Sequence, residues 1–166
     1  MAIPGLTIIG EAINDSVPST HTLFETSNLG ALRALAASQD AGGASYIDVN
    51  VGPRLGTFLA EMVREVQSVT AKPLSIDTPD PDMAEAGLQA YDRARAGGRS
   101  PILNSISPLR TEMFELTRIV PFMPILLASE CVEDGVGKPN LTAEEVHQTA
   151  RQLVREAGQH GIPVDQ

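Results

Sequence analysis

One cysteine, Cys131, stands in a chain of 166 residues. No internal disulfide can form, and there is no cysteine cluster of the zinc-binding kind. Basic residues are scarce as well: 12 Lys and Arg against 21 Asp and Glu give a formal net charge of −9 and a pI near 4.7. That balance argues against nucleic acid or an anionic membrane surface as the main partner. No apolar run approaches the roughly 18 residues that suggest a membrane span. The opening, MAIPGLTIIGEAIN, lacks the basic start and long apolar core of a signal peptide. A soluble, cytoplasmic protein is expected, with no nucleic acid and no membrane as partner. Phosphate-loop signatures are missing too. No G-x-G-x-x-G follows the first apolar run, and the glycines of GVGKPN are too few and too far from a helix start.

What is present is a repeated unit, with 42% hydrophobic residues to build one sizeable core. GLTIIGEAIN reads as a strand, and the Ser-, Thr- and Pro-rich DSVPSTHTLFETSN as a loop. LGALRALAASQDAGGA has helical periodicity and stops at paired glycines. SYIDVNV and KPLSIDT read as the second and third strands, with helix TFLAEMVREVQSVT between them. PDPDMAEAGLQAYDRARAGG opens on Pro and acidic residues and closes on Arg and Gly, as a helix should. SPILNSIS and MPILLASE follow as strands, separated by the helical LRTEMFELTRIV. CVEDGVGKPN reads as a loop before a last helix, in which Thr142 and Glu145 form a capping box and Gly161 lies past the end.

Five alternations of strand and helix imply an α/β protein with a parallel sheet. Each strand is expected to end on a polar residue: Asn14, Asn50, Asp77, Asn104 and Glu130. In parallel strands these ends converge on one edge, where α/β enzymes build their sites. Asp48 and Asn50 point the same way because the strand period is two. Asx residues at strand ends also shape turns and cap helices, so any one of them alone is weak evidence. Length prefers an open, doubly wound sheet, since a (β/α)8 barrel needs about 250 residues.

IIGEAIN, YIDVNVGP, LSIDT with EAGL, and ILNSIS occur in order along the chain. Together they resemble the pterin-binding, corrinoid-dependent methyltransferases, a group that includes methyltetrahydrofolate:corrinoid/iron–sulfur protein methyltransferase. Dihydropteroate synthase is a more distant cousin, and GEAINDS and VNVGPR depart from its loops. The resemblance covers essentially the whole chain and implies a (β/α)8 TIM-barrel type fold, with about the first five βα units present. Residues 1–166 would then be a single pterin-binding barrel domain, truncated near GIPVDQ where a sixth strand is due. A pterin-contacting Asp and an Asn near N5 lie beyond Gln166 in that family, so no catalytic residue is assigned.

The implied reaction moves a methyl group between N5 of (methyl)tetrahydrofolate and the cobalt of a corrinoid (cobalamin) carried by a partner protein. Direction is not legible in the residues. The substrate is tetrahydrofolate or methyltetrahydrofolate, with no metal bound by this chain. Asp77 and Asn104 are the expected pterin contacts, since a carboxylate accepts two ring N–H bonds and an Asn donates and accepts. Asp48, Asn50, Glu11, Asn14 and Ser105 flank them. Arg54 is a weaker candidate for the folate glutamate tail, the three histidines are expected in solvent, and Cys131 is expected buried. A homodimer, or a second chain that completes the barrel, would cover a fifth strand whose edge no residue blunts. The alternatives are a dihydropteroate synthase-like enzyme and a non-catalytic partial-barrel pterin-binding or assembly module.

Overall fold

A computed structural model describes residues 5–163. Five strands form one parallel sheet in chain order: β1 (Ile9–Gly10), β2 (Tyr46–Val49), β3 (Leu74–Asp77), β4 (Ile102–Ile106) and β5 (Met123–Leu126). Every pairing is parallel and the order has no reversal, as expected for the repeated unit. Such a sheet is common to barrels and to open α/β folds. The sixth-strand start expected at GIPVDQ runs into residues 164–166, outside the described residues.

Alternation along the strands divides the sheet into two chemically different faces. Ile47, Val49, Leu74, Ile76 and Leu103 are fully buried. Against Ile76 lie Leu59 of α3 (Gly56–Gln67) and Gly87 of α4 (Pro81–Ala90). A Cβ on Gly87 would meet Ile76 Cγ2 at 3.0 Å and Leu59 Cδ2 at 3.3 Å, so glycine lets α4 lie close on the strand. α3 buries Leu59, Ala60, Met62, Val63 and Val66 in one stripe. Truncating the fully buried Leu59 to Ala would cost about 2–5 kcal/mol. The opposite face carries Asp48, Ser75, Asp77 and Asn104, with Asp48 beside Ser75 and Asp77 beside Asn104 in the register.

Several elements differ from the sequence expectations, each for a physical reason. The first loop contains a helix, α1 (Pro18–Glu25), which buries Phe24 and is tied down by the Thr20 hydroxyl donating to the Ala12 carbonyl at 2.8 Å. Pro18 sits in its first turn, where a missing N–H costs nothing. α2 (Leu29–Ala41) forms as expected, capped by Asn28, whose side chain accepts from the Ala31 N–H at 3.1 Å. α4 ends at Ala90 and does not run on to the glycines. Gln67 at the end of α3 exchanges two bonds with the backbone of Asp92, at 2.8 and 3.0 Å, which holds the chain off the helix. The segment Thr111–Arg118 is a tighter 3-10 helix burying Met113, Phe114 and Leu116.

CVEDGVGKPN is no loop. β6 (Glu130–Glu133) and β7 (Val136–Pro139) pair antiparallel around Asp134 and Gly135, both at positive φ, 52° and 77°. That is the Asp-Gly type I′ hairpin turn. Glu130 therefore belongs to a separate two-stranded sheet, where it faces Arg110 at 3.7 Å, and is not the end of the fifth strand. α5 (Ala143–Gln159) carries the expected capping box, and Asn140 pins the hairpin base to it by donating to the Ala128 carbonyl and to Thr149.

The edge of β5 is blunted after all. The N–H groups of Met123 and Leu127 both donate toward β4. By alternation the Pro124 backbone faces the free side, where it presents no N–H.

Candidate functional site

The C-terminal ends of β2 and β3 open onto a cavity of about 490 Å³. One wall is the turn after β2, with Asn50, Gly52, Pro53 and Arg54; the other is the segment after β3, from Asp77 through Asp80, with Met83. The lining thus alternates carboxylate and amide groups with the apolar surfaces of Pro53, Pro79 and Met83.

Asp77 is the central polar group of this cavity. It is half-buried and accepts one hydrogen bond, from the Asn50 side-chain N–H at 2.8 Å. Burial pushes its carboxyl above the ordinary carboxylate range, and the Asn50 bond partly opposes that rise. One carboxylate lone-pair set is committed to Asn50, and the remainder is available to ligand N–H donors. Asn50 is engaged at both ends of its amide: its oxygen accepts the Gly52 N–H at 2.9 Å, so it orients Asp77 and shapes the turn. Past β3, Asp80 accepts the N–H groups of Asp82 and Met83 and caps α4.

The turn after β2 is held by Arg54. Its guanidinium donates to Asp15 at 2.5 Å, to the Val51 carbonyl at 2.6 Å and to Glu25 at 2.6 Å. It also lies 5.1 Å and 5.5 Å from the ring centres of Phe24 and Phe58. Burial pushes the Asp15 carboxyl up, but bonds from Arg54 and His21 outweigh it and hold Asp15 below its ordinary value. Gly52 is required here. Its φ is +63°, and a Cβ would stand 2.3 Å from Asp15 Oδ2. Arg54 is thus a clamp joining α1 to the β2 turn, and it has no spare charge for a folate tail.

The other expected residues are distributed unevenly around this centre. Asn104 is the register neighbour of Asp77, and its carbonyl accepts the Thr78 N–H at 2.8 Å, but its side chain does not line the cavity. Ser105 is half-buried beside a break in the β4–β5 register. Asn14 pairs with Asn50 through a parallel bridge, yet its side chain is turned to Ser16, accepting at 2.9 and 2.5 Å. Glu11 is exposed just past β1. Of the histidines, His21 meets Asp15 at 2.9 Å and His160 stacks on Phe114 with ring centres 5.6 Å apart. Cys131 lies half-buried on the hairpin strand β6.

Asp48 is the unusual member. It is 1% exposed, its register partner Ser75 is 0% exposed, and neither carboxylate oxygen nor the Ser75 hydroxyl completes a hydrogen bond. Burial raises its pKa from 3.8 to about 7. Ser75 and Asn104 stand near enough to favour the charged form, while Asp77 and Glu11 repel it.

Thr78, Pro79, Asp80 and Met83 were not anticipated as cavity walls. The PDPD run signals a helix start, and in a parallel α/β sheet a helix start after a strand is also site wall. Among the described residues, no group of three or more His, Cys, Asp or Glu side chains is placed to hold a metal ion. No helix among them is long and apolar enough to cross a membrane.

The chain matches no family model. It is similar to a methylcorrinoid:tetrahydrofolate methyltransferase of Eubacterium limosum, with 30% identity over 161 residues. The alignment covers 93% of this chain and 56% of that protein, so the chain spans about half the length of the curated relative it matches.

Proposed function

We propose that this chain is the pterin-binding part of a methyltransferase that moves a methyl group between a corrinoid and N5 of tetrahydrofolate. The observation that carries the reading is Asp77. It is a half-buried carboxylate, held by Asn50 and aimed into a cavity with apolar walls. A reduced pterin offers an amide-like edge of adjacent N–H donors on a flat ring. Asp77 would accept that edge and Met83 and the prolines would cover the ring faces, with Asn104 beside Asp77 in the register but off the cavity lining. Asp48, Glu11, Asn14 and Ser105 would surround the contact without the same direct access.

The likeness to the Eubacterium limosum protein supports the same reaction class. In the direction its name gives, the N5 lone pair attacks the methyl carbon, the cobalt–carbon pair stays on cobalt, and the N5 proton leaves. The corrinoid, carried by a partner protein, supplies the activated methyl group. The chain's own part is to hold the ring and fix its tilt, which gains rate by orientation. The sequential parallel order supports a place for this sheet in a (β/α)8 barrel.

Calorimetry with tetrahydrofolate tests the binding half, and loss of the methylcobalamin spectrum on adding tetrahydrofolate tests the transfer half. Binding that disappears in Asp77→Ala supports the reading. Failure to bind tetrahydrofolate at all would reject it.

A further inference from the structure

Asp48 and Asp77 lie on one face of adjacent strands, offset diagonally by two residues in the register, and only Asp77 opens onto the cavity. Two carboxylates so placed do not both ionise readily, because each raises the cost of charging the other. Their surroundings are unequal. Asp77 has a donor, the Asn50 amide at 2.8 Å, and partial contact with solvent. Asp48 has neither: it is 1% exposed and both its oxygens lack a donor. An unpartnered, buried carboxylate is relieved most simply by taking up a proton.

We propose that Asp48 is a positioning residue that carries the single proton of this pair, leaving Asp77 as the ionised acceptor for ligand N–H groups. The ligand half of this assignment rests on the pterin reading above; the proton half does not. The titratable groups that face Asp48 are Asp77 on β3 and Glu11 after β1, both acidic, and β4 contributes the neutral Asn104. Each acidic neighbour favours the protonated form. The groups able to stabilise the charged form are the Ser75 hydroxyl, 0% exposed and itself without a partner, and, to a smaller extent, the Asn104 side chain.

The assignment separates two carboxylates that look equivalent in sequence. Replacing Asp48 by Asn keeps the shape and copies the neutral state, so ligand affinity should survive. Replacing Asp77 by Asn removes the acceptor, so affinity should fall.

The test is carbon NMR of the aspartate carboxyl groups in the ligand-free protein across pH 4 to 9, assigned by Asp48→Asn. The expected result is one resonance, missing in that variant, that titrates near neutrality. A Ser75→Ala variant should move it higher still, and this arm remains if Asp48→Asn does not fold. With tetrahydrofolate at pH 6, Asp48→Asn should bind within about twofold of the parent, and Asp77→Asn at least tenfold more weakly. An Asp48 that titrates near 4, or a reversal of the two affinity losses, would overturn the proposal. If no variant and no parent binds tetrahydrofolate while Asp48 still titrates near neutrality, the pterin reading falls and the proton assignment stands.

Discussion

Asn50 reaches across from the end of β2 to the end of β3 and donates its side-chain N–H to Asp77 at 2.8 Å. Its other side-chain atom accepts from Gly52, so one amide fixes both the acceptor and the turn that walls the cavity. Asp77→Ala should weaken tetrahydrofolate binding by about 1–3 kcal/mol, because ring donors are left without an acceptor. Asn50→Asp should also weaken it, by setting a second anion against Asp77 and raising its pKa further. Calorimetry on both variants checks this, and equal affinity in parent and Asp77→Ala would count against the site.

Asp48 predicts an inverted stability profile. Its carboxyl titrates at about 7 in the fold and at 3.8 in an unperturbed chain. Below pH 3.8 both states hold the proton and nothing is lost. Between 3.8 and 7 the unfolded chain ionises first, so stability drains away as pH rises, and above 7 the loss is complete. Asp48→Asn should therefore stabilise the protein by roughly 2–4 kcal/mol at pH 8 and change little at pH 4. Urea melts of both proteins at the two pH values measure it; a uniform loss in the variant would refute it.

The Arg54 clamp predicts a poor tolerance of small changes. Gly52→Ala puts a methyl group into Asp15 at a positive φ, and should cost about 1–3 kcal/mol. Arg54→Lys should not substitute, because a single ammonium nitrogen cannot reach Asp15, the Val51 carbonyl and Glu25, which the guanidinium meets from two separate nitrogens. Thermal melts of the two variants should both fall below the parent.

Pro124 predicts an association phenotype. Pro124→Val restores an N–H on the free side of β5, next to the partly exposed Ile125 and Leu126. Edge-to-edge pairing should increase. Size-exclusion profiles at several concentrations should shift toward larger species in the variant.

The repeating unit was plain in the sequence because parallel strands are short apolar runs, and here β2 and β3 are each followed directly by an amphipathic helix. SYIDVNV and KPLSIDT fell where β2 and β3 lie, and Thr142 with Glu145 marked the start of α5. Local rules failed where long-range bonds decide. α1 hides among Ser, Thr and Pro, and it takes the burial of Phe24 and the Thr20 bond to form it. α4 stops early because Gln67, 25 residues upstream of Asp92, captures that backbone. The β6–β7 hairpin did leave a mark, the Asp-Gly pair between Val132 and Val136, which a reading of glycine as mere loop passes over. Asp77 was legible as a polar strand-end residue, and the structure opens a cavity there. The difference between it and Asp48 was not, since both are strand aspartates and only packing tells which one reaches the cavity.

Because the strands stand side by side in the order in which they are synthesised, each has its template waiting when it emerges from the ribosome. β2 can dock on β1, β3 on β2 and β4 on β3 without any strand being held back for a later insertion. Loop-closure costs then come in instalments of one crossover each, which favours growth from the N-terminus. Asp48 would sit uncovered on the growing edge until Ser75 and Asp77 arrive beside it. The docking of β3 is thus the step at which a solvated carboxylate gives up its water.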